Sequence, residues 1–317
     1  MVQALPALCF LGSGASAWAQ SSYPSRGLRV IVPQPPGGGF DFVARVLAER
    51  LGKVLSQTVV VENKPGSGTL VGTDAAAKAD PDGYTLLMGS VSNIALNMGL
   101  YDKLPYDSLR DFEPVGLAVS YSYTLMARKD LPFNSLKELV AYAKANPGKL
   151  TFAVGSVGSA GHLATELLKH NGLDYTVVPY KGTAPAFQDL IGGQISGFID
   201  PILGSLQYHK NGLLRVVAVT SAHRTPNLPD VPTVSETLPG YEFYSWYGLW
   251  APVKASQEIK DVLNAQVNKA LATDMKDKLI SQGLIVGGGS IEDFRKFQAD
   301  DMAKSQKLIT EGNIRLE

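Results

Sequence analysis

Val32-Pro33-Gln34-Pro35-Pro36-Gly37-Gly38-Gly39-Phe40-Asp41 joins two elements of different hydrophobic period. Before it, Leu28, Val30, Ile31 and Val32 make the short apolar run of a buried strand. After it, Phe42, Val43, Val46, Leu47 and Leu51 recur at helical spacing. The loop therefore sits where a strand ends and a helix begins. First-turn N–H groups of a helix lack backbone partners and lie at the positive end of its dipole, and glycines let a ligand approach the main chain. This is a cradle for an anion, with phosphate and carboxylate both open.

Outward from the loop the same design recurs. Val59 to Val61 reads as a second strand, followed by the turn-rich Asn63 to Gly68 and a small-residue helix through Ala75 to Ala79. Asp80-Pro81-Asp82-Gly83 turns the chain into strand Tyr84 to Met88. A second series opens with strand Thr124 to Ala127 and a capping box at Ser135 and Glu138. Strand Leu150 to Val154 then runs into Gly155-Ser156-Val157-Gly158-Ser159-Ala160-Gly161 and a helix carrying Leu163, Leu167 and Leu168. Further strands fall at Tyr175 to Val178, Gly197 to Ile199, Arg215 to Thr220 and Trp246 to Pro252, with Pro226 to Pro239 as a connector. Helices follow at Ile259 to Leu271 and Ser290 to Ile309. Alternating strands and helices predict an α/β fold of parallel, doubly wound sheets, and the length suits two lobes. We expect residues 20–122 plus 240–317 to form lobe 1 and 123–239 to form lobe 2, with two chain crossings at a hinge.

Charge narrows the partners. With 29 basic and 29 acidic residues and no Lys/Arg cluster, nucleic acid is not expected. Met1 to Gln20 carries no charge and ends in Ala17-Trp18-Ala19, small residues at the positions signal peptidase reads. We therefore expect a signal peptide over residues 1–19 and export, although no Lys or Arg precedes the apolar run and Gly12 and Gly14 interrupt it. Cys9, the single cysteine, lies in this leader, so the mature chain is expected to have no disulfide and no thiolate metal site.

Catalytic signatures are absent. The chain has no P-loop, no nucleophile elbow, no H-E-x-x-H and no paired C-x-x-C, and Gly66-Ser67-Gly68 with Gly72 misses the dinucleotide fingerprint. The four histidines are not in metal-ligand spacing, and neither metal nor cofactor is expected. His162, in the first turn after the second small-residue loop, suits either a ligand or the local backbone. Asp41 suits a helix cap or a ligand contact. Asp200 ends a buried strand, where α/β sheets hold ligands, and suits the site or a cap for the next helix.

The motifs together resemble a family. Pro-Pro-Gly-Gly-Gly-Phe-Asp at 35–41, Val-Glu-Asn-Lys-Pro-Gly-Ser-Gly at 61–68, Pro-Asp-Gly-Tyr-Thr-Leu-Leu at 81–87, Gly-Ser-Ala-Gly-His-Leu at 158–163 and Val-Pro-Tyr-Lys-Gly-Thr-Ala-Pro-Ala at 178–186 stand in the order seen in Bug proteins. These are the TctC-like solute receptors of tripartite tricarboxylate transporters. The resemblance implies a two-lobed periplasmic binding protein of type II that closes over a small organic acid, without catalysis. It implies a monomer that delivers its ligand to membrane permease subunits, with a membrane sensor or an enzyme of the same fold as alternatives. Carried over, the site is Gln34, Gly37, Gly38, Gly39, Phe40 and Asp41 in the first loop. Ser90, Ser92 and Asn93 match the second loop, Ser156, Ser159, Ala160, Gly161 and His162 the third, Thr183 and Ala184 the Lys-Gly-Thr-Ala-Pro turn, and Asp200 the strand-end acid. Gln34 and Phe40 depart from the family pattern, where an apolar or aromatic residue and a threonine are common. A phenyl ring in place of a hydroxyl suggests a carboxylate with an aromatic or apolar body, and aliphatic dicarboxylates stay open.

Overall fold

One long strand is shared by two sheets. The computed structural model describes residues 23–311, so the expected signal peptide and Cys9 lie outside the described residues. The chain runs through β1 (Leu28–Val32), α1 (Gly39–Leu55), β2 (Val59–Asn63), α2 (Leu70–Ala77), β3 (Thr85–Ser90), a short α3 (Asn97–Leu100) and β4 (Phe112–Arg128). The second lobe adds α4 (Leu136–Ala145), β5 (Thr151–Val154), α5 (Ala160–His170), β6 (Thr176–Pro179), α6 (Thr183–Ile191), β7 (Gly197–Pro201), α7 (Ile202–Lys210) and β8 (Leu214–Val219). The chain then returns through β9 (Tyr244–Pro252), α8 (Gln257–Leu271), α9 (Met275–Ser281), β10 (Ile285–Val286) and α10 (Ile291–Glu311).

The first sheet has the order β2-β1-β3-β9-β4, and the second joins β4 to β7, β5 and β6 with β8 on β4 as well. Strand β4 pairs with β9 as far as Ser122 and with β7 from Tyr123, so the chain changes sheets without leaving the strand. The return passes the same point: Thr220 N–H donates to Tyr123 O at 2.9 Å and Phe243 N–H to Thr220 O at 2.8 Å. Among the strands of the described residues, β1 pairs in parallel with β2 and β3, and β5 with β6 and β7. The sheets are mixed where mainly parallel ones were expected, because β4 carries the chain out of the first lobe and β9 carries it back. Two such strands side by side must run antiparallel.

Local sequence explains the elements. Helix α1 turns Val43, Val46, Leu47 and Leu51 inward against the strands, and each buried aliphatic side chain contributes about 1.5–3 kcal/mol. Ser135 Oγ accepts from Glu138 N–H at 3.3 Å and opens α4, while the Glu138 carboxylate reaches back to Asn134 N–H at 2.6 Å. Helix α10 straps β9 through two indoles: Trp246 Nε1 donates to Asp301 at 2.8 Å and Trp250 Nε1 to Gln298 at 2.9 Å. Phe294 fills the angle between those rings. Asp301→Ala leaves a buried indole N–H unpaired, and urea unfolding is expected to show a loss of about 1–3 kcal/mol.

Candidate functional site

Three helix N-termini open onto one cavity of about 610 Å³ between the sheets. Helix α1 starts after Gly38 with no side-chain cap, so its first N–H groups have no protein acceptor. Helix α6 starts after Gly182, also uncapped, and Pro185 in its first turn removes a donor that needs no partner. In α5, Ser159 Oγ accepts from His162 N–H at 3.2 Å, and Ala160 N–H donates to Ser92 Oγ at 3.0 Å. That last bond crosses the cleft, because Ser92 follows β3 in the first lobe.

The loop after β3 is built to present Ser92. Ser90 Oγ accepts from Ser92 N–H at 3.0 Å, and Asn93 Oδ1 accepts from Ser90 N–H at 2.8 Å. Asn93 is anchored in turn to Thr73, at 3.1 Å. Ser90 and Asn93 are thus spent inside the protein, behind the cavity wall. Asp41 also lies behind the wall. Its carboxylate accepts from Gly37 N–H at 3.0 Å and from Arg45 at 2.9 Å, bracing the glycine loop. Burial disfavours its charge, yet the hydrogen bonds from Arg45, Gly37 and Asn63 outweigh this and hold the carboxyl below its ordinary range. Gly37 and His162 do not line the cavity either. His162 Nδ1 accepts from Gly158 N–H at 3.2 Å, and Nε2 lies 3.6 Å from Glu166.

The remaining sequence candidates line the cavity: Gln34, Gly38, Gly39, Phe40, Ser92, Ser156, Ser159, Ala160, Gly161, Thr183, Ala184 and Asp200. Sequence reasoning missed the floor. Tyr121, Tyr123 and Tyr247 lie there, with Tyr121 stacked on Tyr247 at 4.7 Å and Phe40 packed on Tyr247 at the same separation. Tyr121 and Tyr123 stand two apart in a strand, and that alternation was the available signal. Also missed was the turn Gly66 to Thr69, which forms part of the wall. Gly68 has φ +60°, and a Cβ there would fall 2.8 Å from Val157 O across the cleft. Lys181 reaches the wall from the turn before α6 and has no ion-pair partner among the described residues.

The comparisons agree with this geometry. The family model described as tripartite tricarboxylate transporter family receptor matches residues 43–314. The chain is 36% identical to protein BugT of Bordetella pertussis over 307 residues, covering 96% of this chain and 94% of that one. It belongs to the tripartite tricarboxylate transporter receptor family. Solved structures are close to this receptor as well. Rpa4515 of R. palustris, solved with adipate, has a TM-score of 0.89 at 36% identity, covering 93% of this chain and all of that one. MatC of Rhodopseudomonas palustris, with bound malate, has a TM-score of 0.85 at 31% identity, covering 90% of this chain and all of that one. The receptor is thus a two-lobed solute-binding protein. No helix among its described residues is long and apolar enough to cross a membrane.

Asp200 gives the receptor a pH signature. It is 4% exposed, and burial pushes its carboxyl well above the ordinary carboxylate range. The native state then holds a proton that the unfolded chain releases near the ordinary aspartate value of about 3.9, so stability falls as pH rises past that value. Asp200→Asn removes this penalty. Thermal melts of the ligand-free receptor are expected to show a higher midpoint for the variant at pH 7 and no difference near pH 3.

Proposed function

We propose that this receptor captures a small carboxylate between its lobes and delivers it to a membrane permease of the tripartite type. One observation carries the reading: uncapped N-termini of α1 and α6 and the start of α5 face a single cavity. Neutral N–H donors at helix starts suit an oxyanion, and enclosure strengthens each bond by excluding water. The ligand's carboxylate lies against Gly38, Gly39 and Phe40 from one lobe and Ser159, Ala160, Gly161, Thr183 and Ala184 from the other. Gly37 and Asp41 hold the first loop in shape, Ser90 and Asn93 hold Ser92, and His162 holds the third loop. Gln34 and Ser156 contact the ligand at the cavity rim, and Asp200 meets it at the floor. The shared strand β4 and the return at Thr220 to Tyr244 act as the hinge, separating residues 20–122 plus 240–317 from residues 123–239.

Relatives support the ligand class, since one solved structure carries adipate and another malate. The aromatic floor of Phe40, Tyr121, Tyr123 and Tyr247 suits a flat or apolar ligand body as well, so aromatic carboxylates belong to the class. Catalysis has little to build on. His162, the one candidate base, is engaged with Gly158 and Glu166 outside the wall that Asp200 lines. The permease role implies export to the periplasm with residues 1–19 as leader, and action as a monomer.

Native mass spectrometry of the receptor purified from cells tests the reading. A single retained organic acid, identified after denaturation, is the expected result. Retention of a nucleotide or a neutral solute would contradict it.

A further inference from the structure

The loop that leads into α5 hangs on one imidazole. Gly155, Ser156, Val157 and Ser159 line the cavity, and Gly158 stands among them with φ +78°. The same loop meets the other lobe twice. Ala160 N–H donates to Ser92 Oγ at 3.0 Å, and a Cβ on Gly68 would lie 2.8 Å from Val157 O and 3.7 Å from Gly158 Cα. Gly158 N–H donates to His162 Nδ1 at 3.2 Å, so the ring is a strut between the loop and the first turn of α5.

That bond fixes the state of the ring. A nitrogen that accepts carries no hydrogen, so the imidazole is neutral with its proton on Nε2, 3.6 Å from Glu166. A second proton goes on Nδ1 and sets one N–H against another. Turning the ring over gives no relief, because both nitrogens of the cation are donors. Gly158 then loses its acceptor, and the loop loses the strut that shapes its part of the cavity.

The surrounding groups let this proton be isolated. On α5 itself Glu166 faces the ring and Lys169 lies beyond it. The bond with His162 above all holds Glu166 below its ordinary range against burial, so Glu166 keeps its charge near neutral pH and in weak acid. Tyr175 donates to Thr165 O, and Tyr241 donates to Ala164 O at 2.8 Å. From β4 and β7, Tyr123 and the end of the strand at Asp200 approach Gly161, whose Cβ would lie 3.6 Å from Tyr123 Cε1 and 3.3 Å from Ile199 O. Tyr101 stands beside Gly68 on the other lobe. Burial holds these four hydroxyls above their ordinary range, so none of them titrates near neutral pH. Lys181 stands on the turn where Gly182 N–H donates to Gly155 O at 2.6 Å, and the segment Val91–Leu96 brings Ser92 and no charge. Protonation of Asp200 removes a negative charge from the cavity and favours an anion, the opposite sign to protonation of His162.

We propose that His162 is a positioning residue whose neutral imidazole makes capture acid-sensitive: a second proton on the ring frees Gly158, loosens the loop and weakens the hold on the ligand. The proposal rests on the carboxylate reading above and adds a regulation to it. Histidine is the side chain whose ordinary titration falls between pH 5 and 8, so the device works under mild acidification. The ionised Glu166 beside Nε2 favours the second proton and the helix start opposes it, and neither restores an acceptor to Gly158.

Calorimetric titration of benzoate and adipate at pH 8.0 and 5.5 into wild type, His162→Ala and His162→Asn tests the proposal. Alanine removes the acceptor, whereas asparagine offers Oδ1 in place of Nδ1 and does not titrate. At pH 8.0 His162→Ala is expected to bind at least about fivefold more weakly than wild type, and His162→Asn to recover most of that loss. From pH 8.0 to 5.5 the affinity of wild type relative to His162→Asn is expected to fall at least about threefold, a ratio in which titration of the ligand and of Asp200 cancels. A constant ratio overturns the proposal, and so does a His162→Asn receptor that binds no better than His162→Ala at pH 8.0. Both results leave the carboxylate reading standing. Binding of neither acid at pH 8.0 overturns both.

Discussion

Gly39→Val is expected to fold and to lose ligand capture almost completely. Gly39 opens α1 at the cavity, and a Cβ there would fall 2.6 Å from Tyr247 Oη and 3.1 Å from Leu203 Cδ2. Neither neighbour can yield easily, because Tyr247 is stacked on Tyr121 and packed against Phe40. Two further methyls would occupy the space where the ligand meets the N–H groups of the helix. A valine in the first turn of a seventeen-residue helix costs a few tenths of a kcal/mol in propensity and crowding against Tyr247 about 1–3 kcal/mol more, so the variant is expected to stay folded with a lowered melting midpoint, which circular dichroism checks. Loss of at least about 100-fold in affinity for the retained acid is the expected calorimetric result, equivalent to about 2.7 kcal/mol. Unchanged affinity would place the ligand away from the glycine loop.

Gly68→Val is expected to act on closure rather than on contact. Gly68 sits at φ +60° between Ser67 and Thr69, which are themselves at φ 44° and 88°. Left-handed geometry at a threonine is costly and persists here because surrounding bonds impose it: Thr69 Oγ1 accepts from Asn97 and Thr69 O accepts from Thr73. A side chain at Gly68 would meet Tyr101 Oη at 2.8 Å beside it and Val157 O at 2.8 Å across the cleft; the tyrosine hydroxyl ends a side chain and can move aside, whereas the backbone oxygen keeps the lobes from the spacing seen here. The variant is expected to show a larger radius of gyration in solution scattering with ligand present. Its affinity is expected to be at least about 30-fold weaker, about 2 kcal/mol. Ser92→Ala removes the cross-cleft bond to Ala160 without adding bulk, and a smaller loss of a few-fold is expected. A Gly68→Val receptor that closes normally would contradict the close approach of this turn to Val157.

Much of this design was readable in the chain because it is local. A strand followed by glycines and a helical apolar stripe announces itself in fewer than thirty residues, and Gly38, Gly39 and Ser159 to Gly161 were found that way. Distance in sequence hid the rest. Strand β4 was read only over its last few residues, since Phe112 to Ser122 is buried on both faces and carries Pro114, which disguises a strand. With the first part of β4 unread, Tyr121 and Tyr123 had no place, and the aromatic floor that they form with Tyr247 was invisible. Helix α6 hid for another reason, as Thr183-Ala184-Pro185 reads as a turn until the proline is placed in a first helical turn. Asp41 and Asn93 had the right address and inward hydrogen bonds, a distinction that depends on side-chain direction and not on spacing.

The central claim is that helix N-termini from both lobes hold a carboxylate. Calorimetric titration of the receptor with adipate and benzoate beside their neutral amides, adipamide and benzamide, tests it most directly. The account predicts that at least one acid binds with 1:1 stoichiometry, that its amide binds at least about 100-fold more weakly, and that Gly39→Val abolishes the difference. Amides that bind as tightly as the acids, or an acid whose binding ignores Gly39→Val, would contradict it.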